Sequence, residues 1–145
     1  ILLGPPPEDR HPDHGRAHRL VRDAAFYSGL ARRAAGDPHR PGAVFSYMQH
    51  NAFAPSFIVD VTGSWDQKVA ALRAYDSQLY RPRRDADPGR DEPETKVSSR
   101  EFALSIEGRA RHFGQMIGAE LGEPFWSSVP LAVRDLAALL PGGHR

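Results

Sequence analysis

The sequence contains no cysteine. That absence excludes a disulfide framework and any thiolate metal site such as a zinc finger, so a metal would have to be held by nitrogen and oxygen ligands. Charge of one sign is also missing: 19 Lys and Arg stand against 18 Asp and Glu, with the arginines interleaved among acids. Without a basic face there is nothing to drive counterion release, which argues against nucleic acid as a partner. No apolar run approaches membrane length and no charged-then-apolar leader occurs. The expectation is a soluble, cytoplasmic protein with no membrane partner. No internal repeat is visible.

What is present is enough apolar sequence, 40% of 145 residues, for the core of one domain. Proline and glycine, thirteen of each, concentrate at 4–15 and 82–93 and mark loops. Ile1 to Gly4 reads as the end of a strand, halted by Pro5-Pro6-Pro7, with an extended loop running to Gly15. Ala17, Leu20, Val21, Ala24, Tyr27 and Ala31 recur at helical spacing and predict an amphipathic helix over 16–34. Segments 43–49 and 56–61 are β-branched and aromatic and predict two strands.

Ser64 is the expected N-cap of a helix from Trp65 to about Gln78. Residues 81–97 carry many charges and no large apolar side chain before Val97, and read as a mobile surface loop. A long helix follows, from Ser98 or Ser99 to Leu121, on which Gly114 and Gly118 permit a close backbone approach. The tail has a short extended piece from Pro124 and a helical turn at 135–140.

This order predicts an α/β fold in which the first two strands pair in parallel across a crossover helix. Three strands and three helices leave a sheet face or edge uncovered, so further βα units are expected before Ile1. Sites in open parallel sheets form beyond the carboxyl ends of strands. There lies Arg10-His11-Pro12-Asp13-His14, two imidazoles and a carboxylate around a proline-stiffened turn. A zinc hydrolase needs three ligands, a water position, a base and an oxyanion-stabilising group, more than this turn supplies. One histidine could bind metal while the other faces substrate, or His14 and Asp13 could simply cap the helix starting at Arg16. His14 and His18 form an HxxxH pair without the glutamate a metalloprotease needs, so His18 reads as a helix-surface residue. His50, in the polar cluster Gln49-His50-Asn51 after a strand, could contact substrate or close a turn.

The segment PPPEDRHPDHGRAHRLVRDAAFYSGL resembles the second motif block of the LmbE-like, or PIG-L, family of zinc-dependent N-deacetylases. Within that family the chain is most similar to the bacillithiol-biosynthesis deacetylases, through YMQ at 47–49, PSFIVDV at 55–61, WDQKVAALRAYDSQ at 65–78, IEGRARHFGQMIGAELGEPF at 106–125 and the closing PLAVRDLAALL. The resemblance implies an incomplete Rossmann-like, three-layer α/β/α domain, with residues 1–145 as its carboxyl-terminal part. It implies zinc as cofactor and N-acetylglucosaminyl-malate as substrate, deacetylated to a free amine for a low-molecular-weight thiol.

The same resemblance makes His14 a zinc ligand and His11 the group that stabilises the oxyanion and protonates the leaving amine. Asp13 becomes the electrostatic partner of His11, while Arg10 and Gln49 become substrate contacts. It also implies a homo-oligomer. The family's first motif, of AHPDD type, supplies the other two zinc ligands and the general base and does not occur in this sequence. The chain is therefore expected to be inactive alone. The alternatives are a deacetylase of the same family with another amino-sugar substrate, or a non-catalytic module whose long helix pairs subunits.

Overall fold

The computed structural model describes residues 1–33, 36–75, 79–80 and 95–139. The loop expected at 81–97 lies outside the described residues except at 95–97, as does the end expected at Leu140, while the helices expected to reach Ala34 and Gln78 stop short, at Tyr27 and Arg73. The described chain is α/β and divides into two units, the described residues of 1–59 with 123–139, and those of 60–122.

In the first unit, β1 (Leu2–Gly4) pairs in parallel with β2 (Val44–Tyr47), Leu2 opposite Val44 and Gly4 opposite Ser46, as the crossover helix requires. A fourth strand, β4 (Gly122–Trp126), runs antiparallel to β2 with Ser46 opposite Trp126, and β3 (Phe57–Asp60) lies beyond it. The order β1-β2-β4-β3 corrects the expected three strands to four in a mixed sheet. The short extended piece expected from Pro124 coincides with the later part of β4, in which Gly122 and Pro124 oppose strand structure locally and only the partners on either side override them. Phe57 stacks on Phe125 at 5.4 Å between centroids and meets Phe45 edge-on at 4.9 Å, which fastens β2, β3 and β4 together.

The helix after β1, α1, spans Pro12–Tyr27, four residues earlier than expected at its start. Pro12 sits where a missing N–H costs nothing, and His11 is the N-cap. The buried stripe of α1 is also not the one the apolar residues foretold. His18 and Ala25 are buried and His14 and Val21 half-buried, whereas Leu20 is 69% exposed. His18 is a core residue, not a surface one, because a backbone carbonyl receives its ring: Nδ1 lies 2.9 Å from the oxygen of Pro5. Gly4 lets α1 approach the sheet, since a Cβ there would stand 3.1 Å from Val21.

The second unit holds α2 (Trp65–Arg73) and α3 (Arg100–Met116). Ser64 precedes α2 without capping it, because its hydroxyl donates backwards to the carbonyl of Val61 in a 3-10 turn over Thr62–Ser64. Ser99 does cap α3, accepting the N–H of Phe102 at 3.2 Å. Ending at Met116 rather than Leu121, α3 gives way to a reversal at Gly118, whose φ of 74° falls in the left-handed region that favours glycine. That reversal lays Glu120 and Leu121 on Gly114, where a Cβ would be 2.7 Å from the nitrogen of Leu121. The two glycines thus serve a turn and a close contact within the chain. In the tail, the expected helical turn is a 3-10 turn over Leu136–Leu139. Among the described residues no helix is long and apolar enough to cross a membrane.

Candidate active site

The loop from Pro5 to His11 leaves the carboxyl end of β1 and turns directly into α1. Its central side chain is Asp9, which the sequence reading passed over. The Asp9 carboxylate is fully buried and accepts from backbone N–H groups and from a histidine ring. The backbone N–H of Asn51 donates at 2.8 Å and that of His50 at 3.2 Å, both from the loop after β2. The third donor is the His14 ring, whose Nδ1 lies 2.6 Å from the other carboxylate oxygen. Burial by itself pushes the Asp9 carboxyl up, but the backbone N–H groups of Asn51 and Arg10 and the His14 ring outweigh it. The net result holds Asp9 below the usual aspartate value.

An ionised carboxylate can only accept, so the hydrogen on that shared contact belongs to His14 Nδ1. A neutral His14 then presents the lone pair of Nε2, and its side chain, 24% exposed, remains reachable. His11 is wired the other way. Its Nδ1 accepts the backbone N–H of Asp13 at 3.2 Å, so a neutral His11 carries its proton on Nε2. Two imidazoles three residues apart, with ring centroids 5.7 Å from each other, therefore offer opposite chemistry: one a lone pair, the other an N–H. The His50 ring lies parallel to His14 at 5.8 Å.

Asp13, expected to face His11, makes its shortest contact with Arg16 at 2.6 Å, while its nearer approach to His11 Nδ1 is 3.7 Å. The Arg16 guanidinium, helped by the positive field of the nearby side chains, holds the Asp13 carboxyl below its usual value. Arg10 is exposed beside His11, and Gln49 is half-buried directly before His50. The cap expected of His14 and Asp13 falls instead to His11, because the helix begins at Pro12 and encloses Asp13 and His14 in its first turn. Asp9 was missed because its partner lies five residues on and its other donors more than forty residues on, a closure no local spacing reveals. The rigid Pro5-Pro6-Pro7 lead-in was the one available signal that the following carboxylate is held in place.

Among the described residues no group of three or more His, Cys, Asp or Glu could hold a metal ion. His14 therefore offers a single donor.

No protein-family model matches the chain. A diacetylchitobiose deacetylase from Thermococcus kodakarensis is 32% identical over 87 residues, covering 54% of this chain and 32% of that protein. The chain is thus related to it at low identity. Among solved structures, the conserved protein TT1542 from Thermus thermophilus matches with a TM-score of 0.75 at 30% identity, over 92% of this chain and 54% of that one. The N,N'-diacetylchitobiose deacetylase from Pyrococcus horikoshii, solved with its inhibitor MPG, gives a TM-score of 0.58 at 23% identity over 85% of this chain and 43% of that one. GalB, the 4-carboxy-2-hydroxymuconate hydratase from Pseudomonas putida KT2440, gives 0.67 at 17% over 94% and 55%. The last two share the fold alone, and a fold common to a deacetylase and a hydratase does not choose a reaction. The chain spans about half the length of the solved proteins it matches, or less.

Proposed function

We propose that this chain forms part of the active site of a zinc-dependent amide hydrolase that removes the N-acetyl group of an amino sugar. His14 serves as a metal ligand, and His11 is the group that meets developing negative charge. The observation that carries the reading is the opposite wiring of the two rings. A metal ligand needs an unprotonated nitrogen and a partner for its other N–H, which is what Asp9 gives His14. An oxyanion-stabilising group needs a donor, which is what the N–H of Asp13 leaves on His11 by occupying Nδ1.

The donor chemistry of His14 suits zinc, but one imidazole is not a site, and the remaining ligands and the base would have to come from outside the described residues. Bound there, zinc would bring the pKa of a coordinated water toward neutrality. His11, with a side chain 61% exposed, can reach a bound substrate and pass a proton to the leaving nitrogen. Asp13 acts on His11 chiefly through its backbone N–H, which fixes the ring's tautomer. Arg10, directly before His11, and Gln49, directly before His50, are assigned to substrate contact. The motif resemblance supports N-acetylglucosaminyl-malate as the substrate and a place in bacillithiol synthesis, whereas the Thermococcus relative's name supports an acetylated chitobiose.

The test is zinc content and acetate release by the protein that carries this chain, with both substrates offered. A preformed oxyanion donor is worth roughly 3 to 4 kcal/mol, so His11→Ala is expected to slow turnover by about two to three orders of magnitude while zinc is retained. His14→Ala is expected to lose the zinc. Loss of zinc from His11→Ala but not from His14→Ala would reverse the assignment, and zinc-loaded protein that released acetate from neither substrate would refute the amino-sugar reading.

A further inference from the structure

The segment that carries Asp9 begins with Pro5, Pro6 and Pro7, none of which has a backbone N–H. Such a segment can be held only through its carbonyls and its packing. The Pro5 carbonyl accepts two donors, the ring of His18 in α1 at 2.9 Å and the hydroxyl of Ser46 in β2 at 3.0 Å. Both donors are buried, and Pro6 is among the most buried side chains of the chain. A carbonyl only accepts, so His18, like His14, carries its proton on Nδ1.

The three contacts between this segment and α1 form an antiparallel ladder. Pro5 meets His18, the Pro7 carbonyl lies where a Cβ on Gly15 would come within 2.9 Å, and Asp9 meets His14. His14 and His18 are four residues apart, one helical turn, so their rings leave the same face of α1. Pro5 and Asp9 are likewise four apart on the facing segment. The inner rung consists of buried groups and the outer rung holds the reactive one.

We propose that His18 is a positioning residue for His14: by holding the Pro5 carbonyl together with Ser46, it fixes the proline segment so that Asp9 sits under His14 Nδ1 and leaves Nε2 bare. The proposal rests on reading His14 as the ligand, but its test does not require metal or turnover.

The test uses the full chain labelled with nitrogen-15. It reads the two ring nitrogens of His14 and the amide exchange of His50 and Asn51, whose N–H groups end on Asp9. His18→Leu is expected to speed exchange at those two amides by about tenfold relative to amides of α3, the effect of losing one buried hydrogen bond. It is also expected to draw the two His14 nitrogen shifts together as the tautomer preference fades. His18→Asn places a side-chain N–H close to where Nδ1 stood and is expected to restore both signals, which a purely space-filling role would not do. Ser46→Ala, which keeps nearly all the bulk, is expected to shift both in the same direction by less. If His18→Leu folds and leaves the His14 nitrogens and both amides unmoved, or if His18→Asn behaves like His18→Leu, the proposal is wrong. Should His18→Leu fail to fold, an unmoved His14 in Ser46→Ala refutes the proposal equally. Failure of zinc uptake or acetate release in the parent protein would overturn the hydrolase reading and leave these signals as they are.

Discussion

Asp9 Oδ2 lies 2.6 Å from His14 Nδ1, and the same carboxylate is completely shielded from solvent. This pair joins the loop after β1 to the first turn of α1, while the backbone of His50 and Asn51 joins it to the loop after β2. One side chain therefore organises three segments of the candidate site.

Asp9→Ala leaves the Asn51, His50 and His14 donors without their acceptor. Because hydrogen bonds to charged groups contribute most among such bonds, the expected loss of stability is about 3 kcal/mol, read by denaturant unfolding. Asp13→Ala removes only an exposed carboxylate paired with Arg16 and is expected to change stability far less.

The depressed Asp9 pKa carries a pH signature. A carboxyl whose folded pKa lies below its unfolded value binds fewer protons when folded, so its contribution is complete above the unfolded pKa and is lost as pH falls through the folded one. Wild-type stability is expected to fall toward that of Asp9→Asn as pH drops below the ordinary carboxylate range. The difference between the two should grow as pH rises through the carboxylate range, and a difference that shrank across that range would have the wrong sign.

Glycine substitutions separate close contact from helix propensity. Gly108 lies inside α3 with nothing within 4 Å of its missing Cβ, so Gly108→Ala is expected to stabilise by roughly 0.5 to 1 kcal/mol. A Cβ added to Gly15, in α1, would stand 2.9 Å from the Pro7 carbonyl oxygen. Gly15→Ala gains the same propensity yet drives that carbonyl away, and overpacking of this kind costs about 1 to 3 kcal/mol. Unfolding curves for the two variants should move in opposite directions.

The hydroxyl cap on α3 is a local test of the second unit. Ser99→Ala removes the acceptor for the N–H of Phe102 and is expected to cost about 1 kcal/mol, whereas Ser64→Ala removes no cap and should cost less.

Sequence patterning sufficed wherever a single segment decides its own structure. The strands around Phe45 and Phe57 and the cap at Ser99 are local features, and the structure contains them. The pairing of His11 and His14 around one proline-stiffened turn is equally local, so the candidate site could be located before its geometry was known. Structure decided by distant partners was not readable. The strand Gly122–Trp126 contains residues that oppose strand formation and exists because neighbouring strands complete it. His18 lies on the buried face of α1 because the Pro5 carbonyl, thirteen residues away, satisfies its ring. Beyond its proline lead-in, the neighbourhood of Asp9 does not show that it will be buried under His14, since two of its donors belong to the loop at His50 and Asn51. At His18 the apolar periodicity misleads because a polar side chain with a fixed partner can occupy a core position.

The central claim is that His14 and His11 hold their protons on opposite ring nitrogens, and nitrogen-15 NMR of the two imidazoles reads it directly. Measured with both rings neutral, His14 is expected to be protonated at Nδ1 with an unprotonated Nε2, and His11 to be protonated at Nε2. His14 protonated at Nε2, or both rings in one tautomer, would contradict the assignment of one as metal ligand and the other as proton donor.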